Sequence, residues 1–449
     1  MRNFKHEKFI YHGYTIKKNS FEYHFSMDEY KFRPRWTCTL PIVEDVVLHE
    51  LVFNLGMVEL ISYWKSACPP IVEVRCGKLD EWQIEWWKKL YRNGLGEFFY
   101  VNNIVPHGDF MTIIPTDEQH EGRGNSCMGN VSYNSRELSG ALIPVGGGKD
   151  SIVTLELLRD SMNYHHCYIV GDIKRAYDSA KVAGYPDSQI IKVNRTIDPT
   201  LIELNKKGYL NGHTPFSAII AFSSMIFAYL SGKKYIVLSN ESSANEGNIS
   251  NSEINHQYSK STEFERNFRD YVNHIDSGEL TLPCYFSLLR PWNELQITKK
   301  FTQFPKYFPV FQSCNAGTKS NTWCCKCAKC LYVYIMLSAF VDDITLNNIF
   351  GENMLENPNL SSMLDALVSP EYDKPFECVG TREEVNFALA AALKKRTNPP
   401  FLLKEYGRKY EGKVDVLKSD LLHFFDKDNF VPREFLGKKE LMENFWENL

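Results

Sequence analysis

The chain has 449 residues, more than one ordinary domain holds, and this length predicts two or three domains. Hydrophobic residues make up 43% of the sequence and charged residues 24%, which is the composition of a folded protein rather than a disordered one. The net charge of −4 argues against a protein that works mainly on a phosphate backbone, so we expect no nucleic-acid partner.

The N-terminal residues are charged, and no apolar run typical of a secretory signal follows them. The apolar stretches at 217–230 and 331–341 are shorter than the roughly 20 residues that cross a bilayer. We therefore expect a cytoplasmic protein without a membrane partner. The cytosol keeps thiols reduced, so the twelve cysteines are not expected to form disulfides, and a cluster of them indicates a metal site.

Residues 1–125 are predicted to form a mixed α/β module. Aromatic-rich alternating runs occur at 14–25 and 71–76, and a helical pattern occupies 44–66. No motif indicates the role of this module. The segment 121–140 is rich in glycine, serine and asparagine, residues that favour turns, and it is predicted to contain a domain boundary.

Residues 138–345 show strands alternating with helices. Thr214 is predicted to cap a helix that has Pro215 at its first position and ends near Leu230. The alternation predicts a parallel sheet with helices on both faces and ligands at the carboxyl ends of its strands. The predicted strands lie at 141–145, 167–170, 189–193 and 235–239, and the other predicted helices at 150–159 and 174–182.

Residues 346–449 are predicted to be mainly helical. Thr381 and Glu384 have the spacing of a capping box, and the helix that they open is expected to end before Pro399. The sequence indicates no site residue in this segment.

A glycine loop at 146–151 follows the first predicted strand of the parallel sheet. Three glycines allow the backbone N–H groups to approach an oxyanion, while Lys149 supplies a cation and Ser151 a hydroxyl group. The loop is not a Walker A motif, because Ile143 stands where that motif has glycine and Asp150 follows the lysine. The sequence therefore predicts a different kind of phosphate-binding loop.

The loop resembles the Ser-Gly-Gly-x-Asp-Ser loop of the PP-loop, or N-type ATP pyrophosphatase, superfamily. Members of this superfamily cleave ATP between the α and β phosphates and commonly adenylate a substrate oxygen. The resemblance implies that Lys149 stabilises the charge of the pyrophosphate and that Asp150 helps to hold Mg²⁺. It also implies that four residues hold the pyrophosphate itself: Gly146, Gly147, Gly148 and Ser151.

Four cysteines have the spacing C-x9-C-x2-C-x2-C, which allows their thiolates to bind one ion: Cys314, Cys324, Cys327 and Cys330. Four thiolates without histidine favour a structural zinc site, and a PP-loop enzyme that makes 7-cyano-7-deazaguanine binds zinc with a similar spacing. An iron–sulfur cluster, as in some PP-loop tRNA-sulfurating enzymes, is the alternative. Cys325 is an extra thiol that could compete as a ligand. The remaining cysteines are expected to be ordinary thiols: Cys38, Cys68, Cys76, Cys127, Cys167, Cys284 and Cys378.

Polar loops follow the later strands of the predicted sheet, at 211–213, 240–248 and 253–260. They contain candidates for proton transfer, each of which is equally compatible with a structural role: His213, Glu241, His256 and Lys260. Arg290 could bind a carboxylate or phosphate bidentately, although a solvated arginine is the default.

The order of these segments resembles the ATP-dependent UDP-N-acetylmuramoyl-L-alanyl-L-glutamate epimerases of bacterial cell-wall synthesis. The resemblance rests on the cysteine cluster and on residues 61–65, 69–70, 93–98, 146–151, 211–213, 239–241, 253–257, 287–291, 348–351 and 374–380. It implies a UDP-muramoyl dipeptide substrate, ATP and Mg²⁺. It also implies adenylation of a glutamate carboxylate, because transfer of AMP removes the charge of the carboxylate and the resulting mixed anhydride allows the α-proton to be removed as an enolate forms. A base and an acid then invert the α-carbon, and water releases AMP.

Two other functions remain open at this stage. A PP-loop enzyme could modify tRNA or a purine analogue by thiolation or nitrile formation, although a tRNA enzyme would be expected to have a basic face. A nucleotide-binding regulatory domain would have the same fold without turnover. The sequence does not indicate an oligomeric state.

Overall fold

The structure, a computed structural model, describes residues 6–108, 110–116, 138–249, 252, 254–276, 281–410 and 420–436. The boundary predicted within 121–140 lies largely outside these ranges. The division of the chain into domains at 125, 138 and 345 therefore stays a prediction.

The N-terminal part is mixed α and β, as its sequence pattern indicates. Its elements are β1 (Lys8–Lys17), β2 (Ser20–Met27), β3 (Tyr30–Phe32), β4 (Arg35–Cys38), α1 (Val46–Trp64), β5 (Ile71–Val74), α2 (Glu81–Gly94), α3 (Gly96–Val101) and β6 (Thr112–Pro115). Asp45 caps α1, and its carboxylate accepts a hydrogen bond from the backbone N–H of Leu48 at 2.8 Å.

Helix α1 is the one helix in the described ranges that is long and apolar enough to cross a membrane. Its most apolar window is 83% buried inside the protein, where α1 packs against other elements of the fold. Core helices pass the same test of length and composition, and the burial of α1 agrees with that role.

The middle of the chain alternates strands and helices, as predicted. Its elements are β7 (Ala141–Pro144), α4 (Lys149–Leu157), β8 (His166–Val170), α5 (Lys174–Ala183), β9 (Ile190–Thr196), α6 (Pro199–Lys206), α7 (Phe216–Leu230), β10 (Tyr235–Leu238), α8 (Thr262–Asp276) and β11 (Cys284–Ser287). Helices predominate afterwards: α9 (Glu294–Thr302), α10 (Ala328–Ser338), α11 (Asp343–Phe350), α12 (Ser361–Val368), α13 (Arg382–Lys394), α14 (Phe401–Tyr410) and α15 (Arg433–Leu436). The capping box of Thr381 and Glu384 is confirmed at the start of α13.

All eleven described strands join one sheet in the order β11-β10-β7-β8-β9-β4-β2-β1-β5-β6, and β3 pairs with β2 beside this path. Neighbours are parallel from β11 to β9 and from β1 to β6, whereas the strands between them are antiparallel. The N-terminal strands therefore extend the sheet of the middle segment through the pairing of β4 with β9.

Helices cover both faces of the parallel part of the sheet, as predicted. Successive residues of β7 point to opposite faces, so Leu142 joins the apolar core that includes α1 and α7, and Ile143 joins the core that includes α4 and α10. Strand order reverses between β7 and β10, because β8 and β9 lie on one side of β7 while β10 and β11 lie on the other. Open α/β sheets bind ligands at such a reversal, outside the carboxyl ends of the strands.

The predicted cap of α7 is wrong. The helix begins at Phe216, and Pro215 occupies the N-cap position without a side-chain hydrogen bond. The Thr214 hydroxyl instead accepts a hydrogen bond from the Lys65 ammonium group at 2.6 Å. A buried ammonium group needs acceptors, and this requirement takes the hydroxyl away from the helix.

Candidate functional site

The glycine loop joins β7 to α4 at the reversal of strand order. Gly148 is the extended N-cap residue of α4, so the first N–H groups of the helix lie next to the loop. The Gly147 carbonyl accepts a hydrogen bond from the Gln312 backbone N–H at 2.9 Å, and the Gly146 carbonyl accepts one from Arg175 Nε at 3.2 Å. The Ser151 hydroxyl donates to the Gly148 carbonyl at 2.9 Å and thus stabilises the loop from within.

Gly147 is required by the backbone of the loop. Its φ of +80° lies in the left-handed region, and a Cβ atom there would lie 2.6 Å from Arg175 Cγ and 2.7 Å from the Ala176 backbone nitrogen. At Gly146, by contrast, a Cβ atom would meet no atom of the described residues within 4 Å. The loop is thus tightly packed on one side and open at Gly146.

We expect Gly147→Ala to lower the free energy of unfolding by about 2 kcal/mol or more, through backbone strain and collision with Arg175 and Ala176. Gly146→Ala is the matched control and should stay within about 1 kcal/mol of the wild type. Chemical denaturation of both variants measures the difference. Equal stabilities would contradict this account of the loop.

Three carboxylates converge beside the loop. One oxygen from each of Asp150, Glu241 and Glu294 lies within 4.8 Å of the others. Lys149, which is 2% exposed, forms ion pairs with Asp150 and Glu294. Carboxylate oxygens are the ligands that Mg²⁺ prefers in proteins, so the donor set suits a hard divalent cation.

Burial dominates the electrostatics of these carboxylates. It raises the pKa of Glu294 to about 7, with a further contribution from the charge of Asp150, and it raises the pKa of Glu241 as well. Burial alone would raise the pKa of Asp150, but the charges of Lys149 and Lys329 outweigh it and lower that pKa. Burial likewise opposes the charge of Lys149, but the neighbouring carboxylates outweigh it and raise the pKa of Lys149. A cation bound here would favour the ionised forms of Glu241 and Glu294, which burial disfavours.

Glu294 and Lys329 were not among the residues that the sequence singled out. Glu294 is the first residue of α9, and its N–H donates to the Ser243 hydroxyl at 3.0 Å and to the Glu384 carboxylate at 2.8 Å. Asn293 and Gln296 form a capping box that marks this helix start, although nothing local indicates that it faces the glycine loop. The segment after residue 345, where no site residue was predicted, therefore supports the site through Glu384.

Arg290 is neither the solvated arginine that is the default at such a position nor a residue open to an anionic ligand. Its side chain is 0% exposed and forms an ion pair with Glu265 at 3.1 Å. It also donates hydrogen bonds to the backbone carbonyls of Glu241, at 2.5 Å, and Lys260. Arg290 thus fixes the backbone beside two of the candidate site residues, and four of its five N–H donors are used inside the protein.

We expect Arg290→Met to lower the free energy of unfolding by about 3–5 kcal/mol, because it leaves the buried carboxylate of Glu265 without its partner. Arg266→Met is the matched control. It removes an arginine that pairs with Asp428 at the surface, where such a pair contributes at most about 1 kcal/mol. Urea denaturation of the two variants measures both effects, and a loss of the same size in each would contradict the assignment.

A second cluster lies where residues from the N-terminal part meet the polar loops. The Glu97 carboxylate binds His256 Nδ1 and lies 3.4 Å from His213 Nδ1, and the two imidazole rings lie 4.4 Å apart. Lys65 donates a hydrogen bond to the His213 carbonyl at 3.0 Å. The N-terminal part, whose role the sequence did not indicate, thus contributes Lys65 and Glu97.

The two histidines differ in charge. Burial lowers the pKa of His213 to about 3, assisted by the charges of His256 and Lys65. Burial also disfavours the charged form of His256, but hydrogen bonds and charges from Cys378 and Glu97 outweigh it and raise the pKa of His256 to about 9. At neutral pH the pair therefore contains one neutral imidazole and one imidazolium.

Cys378 is not the ordinary thiol that the sequence analysis expected. Its sulfur accepts a hydrogen bond from Lys260 Nζ at 3.4 Å, and His256 lies close enough to favour the ionised form of the thiol. Burial would raise the pKa of this thiol, but the charge of Lys260 and the hydrogen bond from His256 lower it to about 5. Lys329 donates to the Cys378 carbonyl. Lys260 and Lys329 also lower the pKa of Asp150 through their charges, and in this way they connect the second cluster to the carboxylates.

The cysteine cluster has the geometry of a single-ion site. The sulfur atoms of Cys314, Cys324, Cys327 and Cys330 all lie within 4.8 Å of one another, and three of the sulfur–sulfur distances are 3.4, 3.7 and 4.0 Å. A tetrahedral zinc ion with bonds of about 2.3 Å separates its sulfur ligands by about 3.8 Å. Cys325 does not compete for this site, because its thiol donates to the Phe350 carbonyl at 3.4 Å.

Family models match most of the sequence. Residues 1–288 match the model described as the MurL N-terminal domain, and residues 310–407 match the model described as the MurL C-terminal domain. These ranges contain the glycine loop, the second cluster and the cysteine cluster, whereas Glu294 lies between them. No solved structure matches the chain.

Curated relatives are similar to this chain over most of their length. A protein of Xanthomonas oryzae pv. oryzae is 32% identical over 370 residues, which are 80% of this chain and 78% of the relative. A protein of Salinispora tropica is 35% identical over 366 residues, which are 78% of this chain and 76% of the relative. A protein of a Micromonospora species is 34% identical over 373 residues, which are 78% of this chain and 78% of the relative. Each of these relatives is named UDP-N-acetyl-alpha-D-muramoyl-L-alanyl-L-glutamate epimerase.

Proposed function

The chain belongs to the MurL epimerase family, and from this premise we propose that it inverts the terminal L-glutamate of UDP-N-acetylmuramoyl-L-alanyl-L-glutamate to D-glutamate. We further propose that ATP activates the substrate, that a glutamate carboxylate is adenylated, and that pyrophosphate and then AMP are released. This reaction belongs to the synthesis of a peptidoglycan precursor, and we place the enzyme in the cytoplasm.

The observation that carries the ATP-dependent step is the glycine loop at the reversal of strand order. Open backbone at Gly146 and the N-terminus of α4 offer N–H groups to the leaving pyrophosphate. Lys149 lies directly after the glycine loop and would offset the charge that develops when the bond between the α and β phosphates breaks. We assign the chain to the PP-loop superfamily on this basis.

We assign Mg²⁺ to Asp150, Glu241 and Glu294, whose oxygens converge beside the loop. When bound, the ion would neutralise phosphate charge during adenylation. Burial disfavours the ionised forms of Glu241 and Glu294 unless a cation compensates them, which supports the assignment. Glu241 accordingly takes a role in binding the cation rather than in proton transfer.

The activation explains why an epimerase would use ATP. A carbanion next to an ionised carboxylate faces a full negative charge, whereas a mixed anhydride with AMP accepts the electron pair as an enolate. Only the α-carboxylate acidifies the α-proton directly, so we propose that this carboxylate is adenylated. Proton transfer then takes place at the second cluster, where His256 and Lys260 carry positive charge.

We assign a structural zinc ion to Cys314, Cys324, Cys327 and Cys330. Their sulfur spacing suits one tetrahedral ion better than a 4Fe–4S cluster, in which each thiolate binds a different iron. The ion would fix the segment between Gln312, which binds the glycine loop, and Lys329, which faces the carboxylates.

Incubation with UDP-N-acetylmuramoyl-L-alanyl-L-glutamate and Mg-ATP in D₂O tests the proposed function. We expect AMP and pyrophosphate, together with D-glutamate that carries deuterium at its α-carbon. D-glutamate without deuterium would contradict the carbanion route, and the absence of D-glutamate would overturn the assignment. Pyrophosphate release that depends instead on tRNA or a purine analogue would favour the alternative PP-loop activities.

A further inference from the structure

Cys378 lies among charged side chains rather than in an apolar core. Its sulfur contacts the Lys260 ammonium group and its carbonyl binds Lys329, while the sulfur and His256 each favour the charged form of the other. The Glu97 carboxylate in turn binds Nδ1 of the His256 imidazole. A sulfur paired with a base that a third group orients is the arrangement of an activated cysteine.

The three segments that build this group come from distant parts of the chain. Glu97 belongs to α3, His256 and Lys260 to the loop before α8, and Cys378 to the loop before α13. The loop of Cys378 is held in place by Lys374, which forms an ion pair with Glu246 at 2.8 Å. The position of the sulfur is therefore fixed by contacts on both sides.

We propose, on the premise of the function given above, that the Cys378 thiolate is the catalytic base that removes the α-proton of the activated glutamate on one face. His256, Lys260 and Glu97 are positioning residues that keep this sulfur ionised and oriented. Arg290 binds the backbone carbonyls of both Lys260 and Glu241, so the lysine that contacts the sulfur is held beside one of the carboxylates near the glycine loop.

Protons and electron pairs are conserved in this step. The α-carbon–hydrogen bond breaks, the proton bonds to the sulfur of Cys378, and the electron pair moves into the enolate of the mixed anhydride. A proton supplied by water bonds to the carbon from the opposite face, and the enolate electron pair returns to it. The Cys378 thiol then gives its proton to solvent, and hydrolysis of the anhydride releases AMP.

The low pKa of this thiol agrees with the role. At neutral pH the sulfur is a thiolate and His256 is an imidazolium, so a base is present without prior deprotonation. Sequence alone did not suggest Cys378, because Lys260, which contacts its sulfur, lies 118 positions away in the chain. Residues 374–380 were part of the family resemblance, but that resemblance gave the cysteine no role.

The Cys378→Ser variant tests the proposal, with pyrophosphate release and α-carbon inversion measured separately on the full chain. We expect pyrophosphate release close to that of the wild type and inversion reduced by about 100- to 10,000-fold, the usual contribution of general acid–base catalysis. In D₂O, the variant should lose α-deuterium exchange from one glutamate epimer and retain it from the other. A merely structural role would weaken exchange from both epimers equally.

Cys284→Ser is the matched control, because Cys284 is a half-buried thiol at the start of β11, away from the carboxyl ends of the strands. It should keep both activities, and circular dichroism should give the same spectrum for both variants. Wild-type inversion by Cys378→Ser would overturn the proposal. A glutamyl thioester on Cys378 of the wild type, detected by mass spectrometry, would also overturn it, because the sulfur would then act as a nucleophile. Wild-type protein without pyrophosphate release or inversion would refute the proposed function instead.

Discussion

The Asp150→Asn variant is expected to lose pyrophosphate release by about 1000-fold or more, the scale on which removal of one electrostatic contact to a transition state acts. Asparagine has nearly the same size as aspartate but cannot balance the charge of Mg²⁺ as a carboxylate does. Lys149 would keep its second ion pair, with Glu294, so the buried ammonium group remains compensated and the fold should be preserved. A pyrophosphate assay with the muramoyl dipeptide and Mg-ATP measures the loss.

Asp160→Asn is the matched control for this variant. Asp160 is exposed and follows the opposite end of α4, so its replacement removes the same charge without touching the glycine loop. We expect its pyrophosphate release to equal that of the wild type. Near-normal release by Asp150→Asn would refute the role of Asp150, and a loss of circular dichroism in that variant would show that its charge is needed for folding.

The parts of this molecule that sequence predicts well are those in which neighbouring residues define the structure. The glycine loop is one continuous stretch between an apolar strand and a helix, so its position after β7 follows from local pattern alone. The capping box of Thr381 and Glu384 is similarly local. The four cysteines lie within 17 residues, from Cys314 to Cys330, and short spacing brings their sulfurs together.

The parts that sequence predicts poorly depend on contacts between distant segments. Glu97 meets His256 across 159 positions, and Lys260 meets Cys378 across 118. Distant contacts also explain the difference at Arg290. Its local sequence suited an exposed residue that could bind an anion, but in the interior it donates hydrogen bonds to Glu265 and to two backbone carbonyls. Side-chain partners of this kind are set by the packing of helices on the sheet.

The sheet itself contains one step that local patterns do not indicate. Strand β4 has only four residues, Arg35–Cys38, and pairs antiparallel with β9, about 160 residues later in the chain. This pairing brings the N-terminal part beside the polar loops and allows Lys65 and Glu97 to reach the site. Burial of Glu59 against Arg195 at 2.7 Å reinforces the connection between α1 and β9.

The Cys330→Ser variant is expected to lose its metal ion and to be strongly destabilised. Structural zinc supplies about 10–16 kcal/mol of apparent folding energy in small zinc-finger peptides, so the loss of one of four ligands removes a large local contribution. Cys330 is 0% exposed in the first turn of α10, and serine offers a poorer ligand for zinc than a thiolate. Elemental analysis should find one zinc ion per wild-type chain and much less in the variant. Thermal unfolding should shift to lower temperature.

Cys325→Ser is the matched control, since Cys325 is adjacent to the cluster but donates its thiol proton to the Phe350 carbonyl. It should retain zinc and wild-type pyrophosphate release. Cys330→Ser should also lose pyrophosphate release, because the cluster lies between Gln312, which binds Gly147, and Lys329, which faces the carboxylates. Brown protein with visible absorbance would contradict zinc in favour of an iron–sulfur cluster. Full metal content in Cys330→Ser would show that the four thiolates do not act as one site.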